Sequence, residues 1–266
     1  MSRKPFLKWA GGKRWLVDRT DFRLPPYSGR YIEPFLGGGA VFFSHRPKLA
    51  ILSDANPRLI EVYKVIRSDW TSLIDLLEID HNLHSKDYYY SRRSERPTTE
   101  VERAAQFIYL NRSCWNGLYR VNQRGEFNVP IGTKSWILSS ADDFGSTAKA
   151  LAQVELVATD FEETVNRAVN GDLIFADPPY TVAHNFNGFV KYNESIFSWD
   201  DQIRLKNSLI RAASRGVTIR LTNADHPSVR SLYNEVADIQ VMDRRSVISG
   251  QSHGRNKTTE LLISMA

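Results

Sequence analysis

Apolar positions along this chain fall into two spacings, and the alternation between them sets out the predicted elements. Short apolar-rich runs at Leu49-Ala50-Ile51-Leu52, Val154 to Ala158, Leu173-Ile174-Phe175-Ala176 and Val217 to Thr222 predict strands, and Tyr31 with Ile32 ends another. Between them the spacing lengthens to three and four residues. Leu59, Val62, Tyr63, Ile66, Leu73, Ile74 and Leu77 predict a helix over Asn56 to Leu77. Others are predicted over Glu100 to Arg112, from Asp200 to Ser214, and starting at Ala40 to Ser44. Ile239 to Met242 and Thr259 to Ser264 read as an antiparallel pair at a sheet edge. Strands alternating with helices predict an α/β fold with a doubly wound sheet.

The middle of the chain breaks this pattern. Asp80 to Thr99 is polar and aromatic, with Tyr88, Tyr89, Tyr90, Arg92, Arg93 and Arg96. After the helix ending at Arg112, Leu118 to Asn122 alternates, Arg124-Gly125 makes a turn, and Glu126 to Val129 returns, which predicts a β-hairpin. Residues 57–144 therefore read as an insertion, helical with a hairpin, in an α/β domain formed by residues 1–56 and 145–266.

Composition narrows the classes. With 266 residues, 42% hydrophobic and 24% charged, the chain reads as globular, and its length suffices for one large domain with an insertion. The net charge of +5 points to an anionic partner. A single cysteine, Cys114, excludes an internal disulfide. Met1 to Lys13 is polar and basic without an apolar segment, and no stretch is long and apolar enough to span a bilayer, so the expected location is the cytosol.

The candidate chemistry sits at strand ends. Asp177-Pro178-Pro179-Tyr180 directly follows Leu173 to Ala176, at the carboxyl end of a predicted buried strand, where open α/β sheets hold ligands. Two prolines hold the chain extended and offer carbonyls without N–H groups. Asp177 and the Pro178 carbonyl can accept both hydrogens of an exocyclic amine and leave its lone pair aimed at an electrophile, while Tyr180 stacks on the ring that carries it. Four residues of this kind also close ordinary strand turns. Gly37-Gly38-Gly39, after Tyr31-Ile32-Glu33-Pro34-Phe35-Leu36, precedes a predicted helix, an arrangement that serves tight structural turns as well as ligand approach. Coupled to Asp54 at the end of the next strand, where a ribose is commonly held, it favours a nucleotide.

Taken together, Phe6-Leu7-Lys8-Trp9-Ala10-Gly11-Gly12-Lys13, Glu33 to Gly39, Asp54 with Asn56, Asn111 to Pro130, and Asp177 to Tyr180 resemble, in that order, the Dam-type DNA adenine N6-methyltransferases. The resemblance covers nearly the whole chain. It implies a Rossmann-like methyltransferase sheet, S-adenosylmethionine as cofactor with S-adenosylhomocysteine as product, and double-stranded DNA as partner; no metal, membrane or obligatory protein partner is implied. Trp9, Ala10, Gly11 and Lys13 would enclose the cofactor, and Phe35, Gly37 and Gly39 would approach its methionine part. Asp54 would take its ribose, and Asp160 and Phe161 its adenine. Asp177 to Tyr180 would be catalytic, with Asp177 also near the cofactor. The adenine would be flipped out of the duplex and methylated by direct displacement. Cytosine C5 chemistry, which needs a cysteine nucleophile, is not expected of Cys114, which lies in no Pro-Cys motif.

Recognition would belong to the hairpin, in the major groove of GATC. Arg120 would read a guanine and Lys8 the outer guanine, Leu118 and Pro130 the thymine methyl; Trp115 and Asn116 would lie near the space left by the flipped base. Asn122 joins this DNA-facing set, and Arg124 is assigned to phosphate. Arg92, Arg93, Arg112, Lys134, Arg244, Arg245, Arg255 and Lys257 read as backbone contacts or solvated charges. Lys134 stands where the family pattern leads us to expect an aromatic, which bears on the outer base pair. Two other readings are a methylating enzyme acting on RNA or a protein glutamine, and a DNA-binding module without catalysis. The Trp115 to Pro130 hairpin weighs against the first; the intact Asp177, Asp54 and Trp9 weigh against the second.

Overall fold

A computed structural model describes residues 5–134, 136–182, 197–245 and 257–266. The strands are β1 (Tyr31–Glu33), β2 (Ala50–Asp54), β3 (Val154–Ala158), β4 (Leu173–Ala176), β5 (Thr218–Ala224), β6 (Asp238–Arg245) and β7 (Lys257–Met265). They form one seven-stranded sheet in the order β3-β2-β1-β4-β5-β7-β6. β1 is parallel to β2 and β4, and β4 to β5, whereas β7 is antiparallel to β5 and β6. This is the predicted α/β, Rossmann-like arrangement with its antiparallel C-terminal pair. The chain divides into two compact units: one of Met1–Thr20, Gly37–Lys48 and Asn56–Ala158, the other of Asp21–Leu36, Leu49–Ala55 and Thr159–Ala266.

The second unit carries most of the sheet. All residues of β1 and β4 are buried, as expected of parallel strands covered on both faces. Asp172, buried just ahead of β4, accepts hydrogen bonds from the Arg30 N–H (2.7 Å), the Arg30 guanidinium (2.7 Å) and the Val169 N–H (3.0 Å), and so ties the entry of β4 to that of β1. Helix α7 (Phe161–Asn166) packs on β2. A later helix, labelled α8 (Trp199–Ala213), packs on α7 and β5, and α9 (Pro227–Tyr233) on α8. α8 begins with a reciprocal cap: the Ser198 hydroxyl accepts the Asp201 N–H (3.1 Å), and the Asp201 carboxylate accepts the Ser198 N–H (2.9 Å).

The first unit is mainly helical, with α1 (Arg14–Val17), α2 (Ala40–His45), α3 (Pro57–Leu83), α4 (Lys86–Ser94), α5 (Glu100–Ser113) and α6 (Phe144–Leu151). α3 starts where the sequence placed it, because Asn56 Oδ1 accepts the Arg58 and Leu59 N–H groups ahead of a proline at the first turn. It runs past the predicted Leu77 after a kink at Asp69, whose φ of −149° is non-helical. Segment 80–99, read as polar and aromatic with no element assigned, contains α4, capped by Ser85, with Tyr89 and Arg92 on its inner side.

Two arginines read as surface cations are structural. Arg92 is 8% exposed and bonds to Asp80 (2.9 Å) and Glu95 (2.6 Å). Arg112, 9% exposed, donates to both Asp142 oxygens (2.7 and 2.8 Å) and to the Phe6 and Ile137 carbonyls (2.8 Å each). Arg93 also donates within the protein, to the Val129 carbonyl (3.1 Å). The predicted hairpin is reduced to a single bridge, Val121 opposite Phe127, flanked by Asn122 N–H to Glu126 O (2.9 Å) and Asn128 N–H to Arg120 O (3.1 Å). Among the described residues no helix is long and apolar enough to cross a membrane.

Candidate active site

In the second unit, β4 delivers Asp177 to the carboxyl edge of the sheet. The register Ala176 opposite Leu221 sets Thr222 of β5 beside it, and the Thr222 hydroxyl donates to Asp177 Oδ1 (2.8 Å). Pro178 is buried, while Pro179 and Tyr180 are half-buried. Gln202 of α8, fully buried, donates toward the Pro179 and Thr181 carbonyls (3.4 Å each) and accepts from Asn223 (3.0 Å). The Tyr180 hydroxyl donates to Glu260 of β7 (2.6 Å), whose other oxygen accepts from Arg244 of β6 (2.6 Å). Burial, followed by the charges of Asp177 and Glu260, pushes the Tyr180 phenol well above its ordinary range, so it stays a donor.

Two more strand ends lie at the same edge. β1 ends at Glu33, buried and bonded by the Tyr31 hydroxyl (2.7 Å). β2 ends at half-buried Asp54, whose carbonyl accepts the Thr159 N–H (3.2 Å), while the Leu36 N–H donates to the Ser53 carbonyl (2.9 Å). Phe35, just past β1, stacks on Phe161 with centroids 5.4 Å apart, and Phe197 meets both rings edge-on or tilted at 5.6 Å. Phe35 is half-buried; Phe161, predicted to stack on a ligand, is buried, with the Arg204 guanidinium 4.2 Å from its centroid. Asp160 is already engaged: Oδ1 accepts the Glu162 N–H (2.9 Å) and Arg204 (2.8 Å), and Oδ2 accepts Arg204 (2.9 Å). A carboxylate has about four acceptor positions, so Oδ2 retains capacity for a further donor.

The first unit holds the other sequence-predicted residues. Trp9, Ala10, Gly11 and Gly12 form a turn closed by Gly12 N–H to Trp9 O (3.2 Å), with Gly11 at φ +75°. Lys13, expected at the cofactor, is buried, and its ammonium donates to the Gly11 carbonyl (2.7 Å). The glycines admit a close approach, but by the protein itself: a Cβ on Gly37 (φ +47°) would lie 2.6 Å from the Trp9 indole, and one on Gly39 2.9 Å from Phe43. Trp9 also stacks on Tyr119 (5.8 Å) and Phe107 (6.3 Å).

Most of the predicted DNA-facing residues are exposed. Lys8, Trp115, Asn116, Arg120, Asn122, Arg124 and Pro130 are exposed and Leu118 is half-buried. Asn111, 1% exposed, ties Lys8 to the 115–117 turn: it accepts the Lys8 N–H (3.0 Å) and donates to the Lys8 and Gly117 carbonyls (2.8 and 3.2 Å). Asn116 adopts φ +54°, and the Trp115 N–H bonds to Pro130 O (2.9 Å), so these residues are gathered at the hairpin base. Arg120 donates to Asn128 Oδ1 (2.8 Å). Asn122 is spent on the turn, its Oδ1 accepting the Arg124 and Glu126 N–H groups (2.9 and 3.0 Å). Lys134 lies over Trp136 (5.3 Å), and burial, then Lys8, lowers its pKa. Burial pushes the Cys114 thiol up to about 11, which keeps it protonated.

Residues 9–248 match the D12 class N6 adenine-specific DNA methyltransferase family. The chain belongs to this family. Relatives agree over nearly its full length. It is 34% identical to the Type II methyltransferase M1.LlaDCHI of Lactococcus lactis subsp. cremoris, covering 98% of this chain and 95% of that protein. Identity is 37% to the Type II methyltransferase M.MjaIII of Methanocaldococcus jannaschii, over 84% and 85%. For the DNA adenine methylase of Serratia marcescens it is 34%, over 97% of each. The D12 methyltransferase is thus an enzyme that methylates adenine N6 in DNA.

Several residues of this D12 methyltransferase escaped the sequence reading. Thr222, Gln202, Glu260 and Arg204 come from elements distant in sequence from the strand ends they support, and Arg244 had been grouped with the solvated charges. The register of β4, β5, β7 and β6 shows the partners of Thr222, Glu260 and Arg244, and the packing of α8 those of Gln202 and Arg204. Tyr119 lay inside the hairpin pattern without a mark of its stacking. Arg255 and the side chains of Arg245 and Lys257 lie outside the described residues.

Proposed function

We propose that this D12 methyltransferase acts on adenine in double-stranded GATC sites, flips the base out of the stack and uses S-adenosylmethionine as donor. The observation that carries this reading is the Asp177 to Tyr180 corner at the tip of β4, with Asp177 aligned by the Thr222 hydroxyl at 2.8 Å. The donor set fits the cofactor: Asp54 and Asp177 accept from hydroxyl and ammonium groups, and Phe35 with Phe161 offers apolar ring surface. Asp54 is assigned to the ribose and Asp160 to the adenine amine. Phe161 is assigned to that adenine as well, Phe35, Gly37 and Gly39 to the methionine part, and Trp9, Ala10, Gly11 and Lys13 to enclosing the cofactor. Residues 57–144 serve as the target-recognition insertion.

When bound, S-adenosylmethionine supplies an electrophilic methyl on a sulfonium centre. The protein's part is orientation. Asp177 and the Pro178 carbonyl accept the two amino hydrogens of the adenine, which fixes the direction of the nitrogen lone pair. Tyr180 supports the ring face of the extruded base, whose unstacking costs a few kcal/mol. No covalent enzyme intermediate is needed, and the rate arises from alignment and local charge. Lys8, Leu118, Arg120 and Pro130 read the site, Trp115 and Asn116 lie near the space left by the flipped base, Asn122 shapes the turn, and Arg124 meets phosphate.

Tritiated methyl transfer to duplexes with and without GATC tests the reading. Incorporation confined to GATC duplexes is expected. Equal incorporation without GATC removes the specificity, and incorporation only into RNA removes the substrate.

A further inference from the structure

Resting on the reading of Tyr180 as the platform for the extruded base, we infer that Glu260, held by Arg244, is a positioning residue that fixes the Tyr180 ring through its hydroxyl. Two prolines restrain the backbone ahead of Tyr180 but leave the ring's own torsions free. The restraint comes from the far end of the side chain. The Tyr180 hydroxyl donates to Glu260 Oε2 at 2.6 Å, and Arg244 Nη1 donates to Glu260 Oε1 at 2.6 Å. Glu260 is 4% exposed and sits on β7 between Ala224 of β5 and Met242 of β6, while Arg244 lies two residues along β6 on the same face as Met242.

A stacking surface alone does not require a hydroxyl, since phenylalanine supplies the same ring. Nor does stability account for the arrangement, because a buried ion pair is commonly no more stabilising than an apolar replacement of equal volume. What the pair provides is a short, charge-assisted bond of fixed direction at the ring edge. Thr222 holds Asp177 in the same way from β5, so both functional side chains of the corner are set from behind by neighbouring strands.

The full-length enzyme would be compared with Tyr180→Phe, Glu260→Gln, their double variant and Tyr180→Ala. Readouts are kcat and KM for tritiated methyl transfer to a GATC duplex, together with thermal unfolding. Tyr180→Phe and Glu260→Gln are each expected to lower kcat by about 10- to 100-fold, with KM for DNA within about twofold. The double variant should be no slower than Tyr180→Phe, because once the hydroxyl is gone the residue at 260 has nothing left to orient. Losses that multiply in the double variant, or Glu260→Gln within about twofold of wild type while Tyr180→Ala is inactive, overturn the inference and leave the platform reading standing. Full turnover by Tyr180→Ala removes the platform itself. If Glu260→Gln does not fold, undiminished kcat in Tyr180→Phe, which takes no atom from the Arg244 pair, still overturns the inference.

Discussion

Asp177 shows how much one residue's role owes to its neighbour. An acid after an apolar run is visible in the sequence; that its carboxylate is pinned by the hydroxyl of Thr222 is not. Asp177→Ala should abolish methyl transfer while leaving duplex affinity nearly unchanged, measured by single-turnover kinetics beside a binding titration. Near-normal turnover contradicts the assignment. Arg120 is exposed but held by Asn128, so its guanidinium is partly pre-aimed. Arg120→Ala should relax base choice at one position, at a cost of about 1–3 kcal/mol of discrimination in competition between site variants. A uniform loss of affinity across all sequences would instead make Arg120 a phosphate contact.

At the scale of elements, β3 and β4 follow the sequence residue for residue, because each is a short run bounded by polar or turn residues. The hairpin does not. Asn122 draws two N–H groups into its own turn, leaving one bridge where alternation predicted two paired strands. The entry to β4 offers a stability test. Burial alone would raise the Asp172 pKa, but bonds from Arg30 and from the Val169 and Arg30 N–H groups outweigh it and hold the carboxyl below the usual range. Its stabilising contribution is therefore full above the unfolded value of about 3.9 and lost as pH falls through the folded one. Asp172→Asn should cost about 2–4 kcal/mol at neutral pH, because it strips a buried partner from Arg30. Denaturant unfolding should show that difference shrinking as the pH falls below the unfolded value and through the lower folded one. A difference independent of pH would assign the loss to packing.

For the whole molecule, the net charge of +5 and the exposed cations Lys8, Arg120 and Arg124 predict a duplex affinity that falls linearly with the logarithm of salt concentration. Arg124→Ala should lower that slope by about one, and an unchanged slope would show that Arg124 meets no phosphate. The sequence by itself determined the order of elements, the α/β class and the chemical types at the strand ends, because hydrophobic period and local turn chemistry are written in neighbouring residues. It also carried the family, to which relatives at 34–37% identity belong in name and length. Only the tertiary structure decided which side chains support those ends: Thr222 behind Asp177, Glu260 and Arg244 behind Tyr180, Arg204 against Asp160, Trp9 over Gly37. It also turned Arg92 and Arg112 from surface charges into buried ties. The reason is physical. Such contacts depend on strand register and on pairings between residues tens of positions apart, and a single sequence does not encode these as a local pattern.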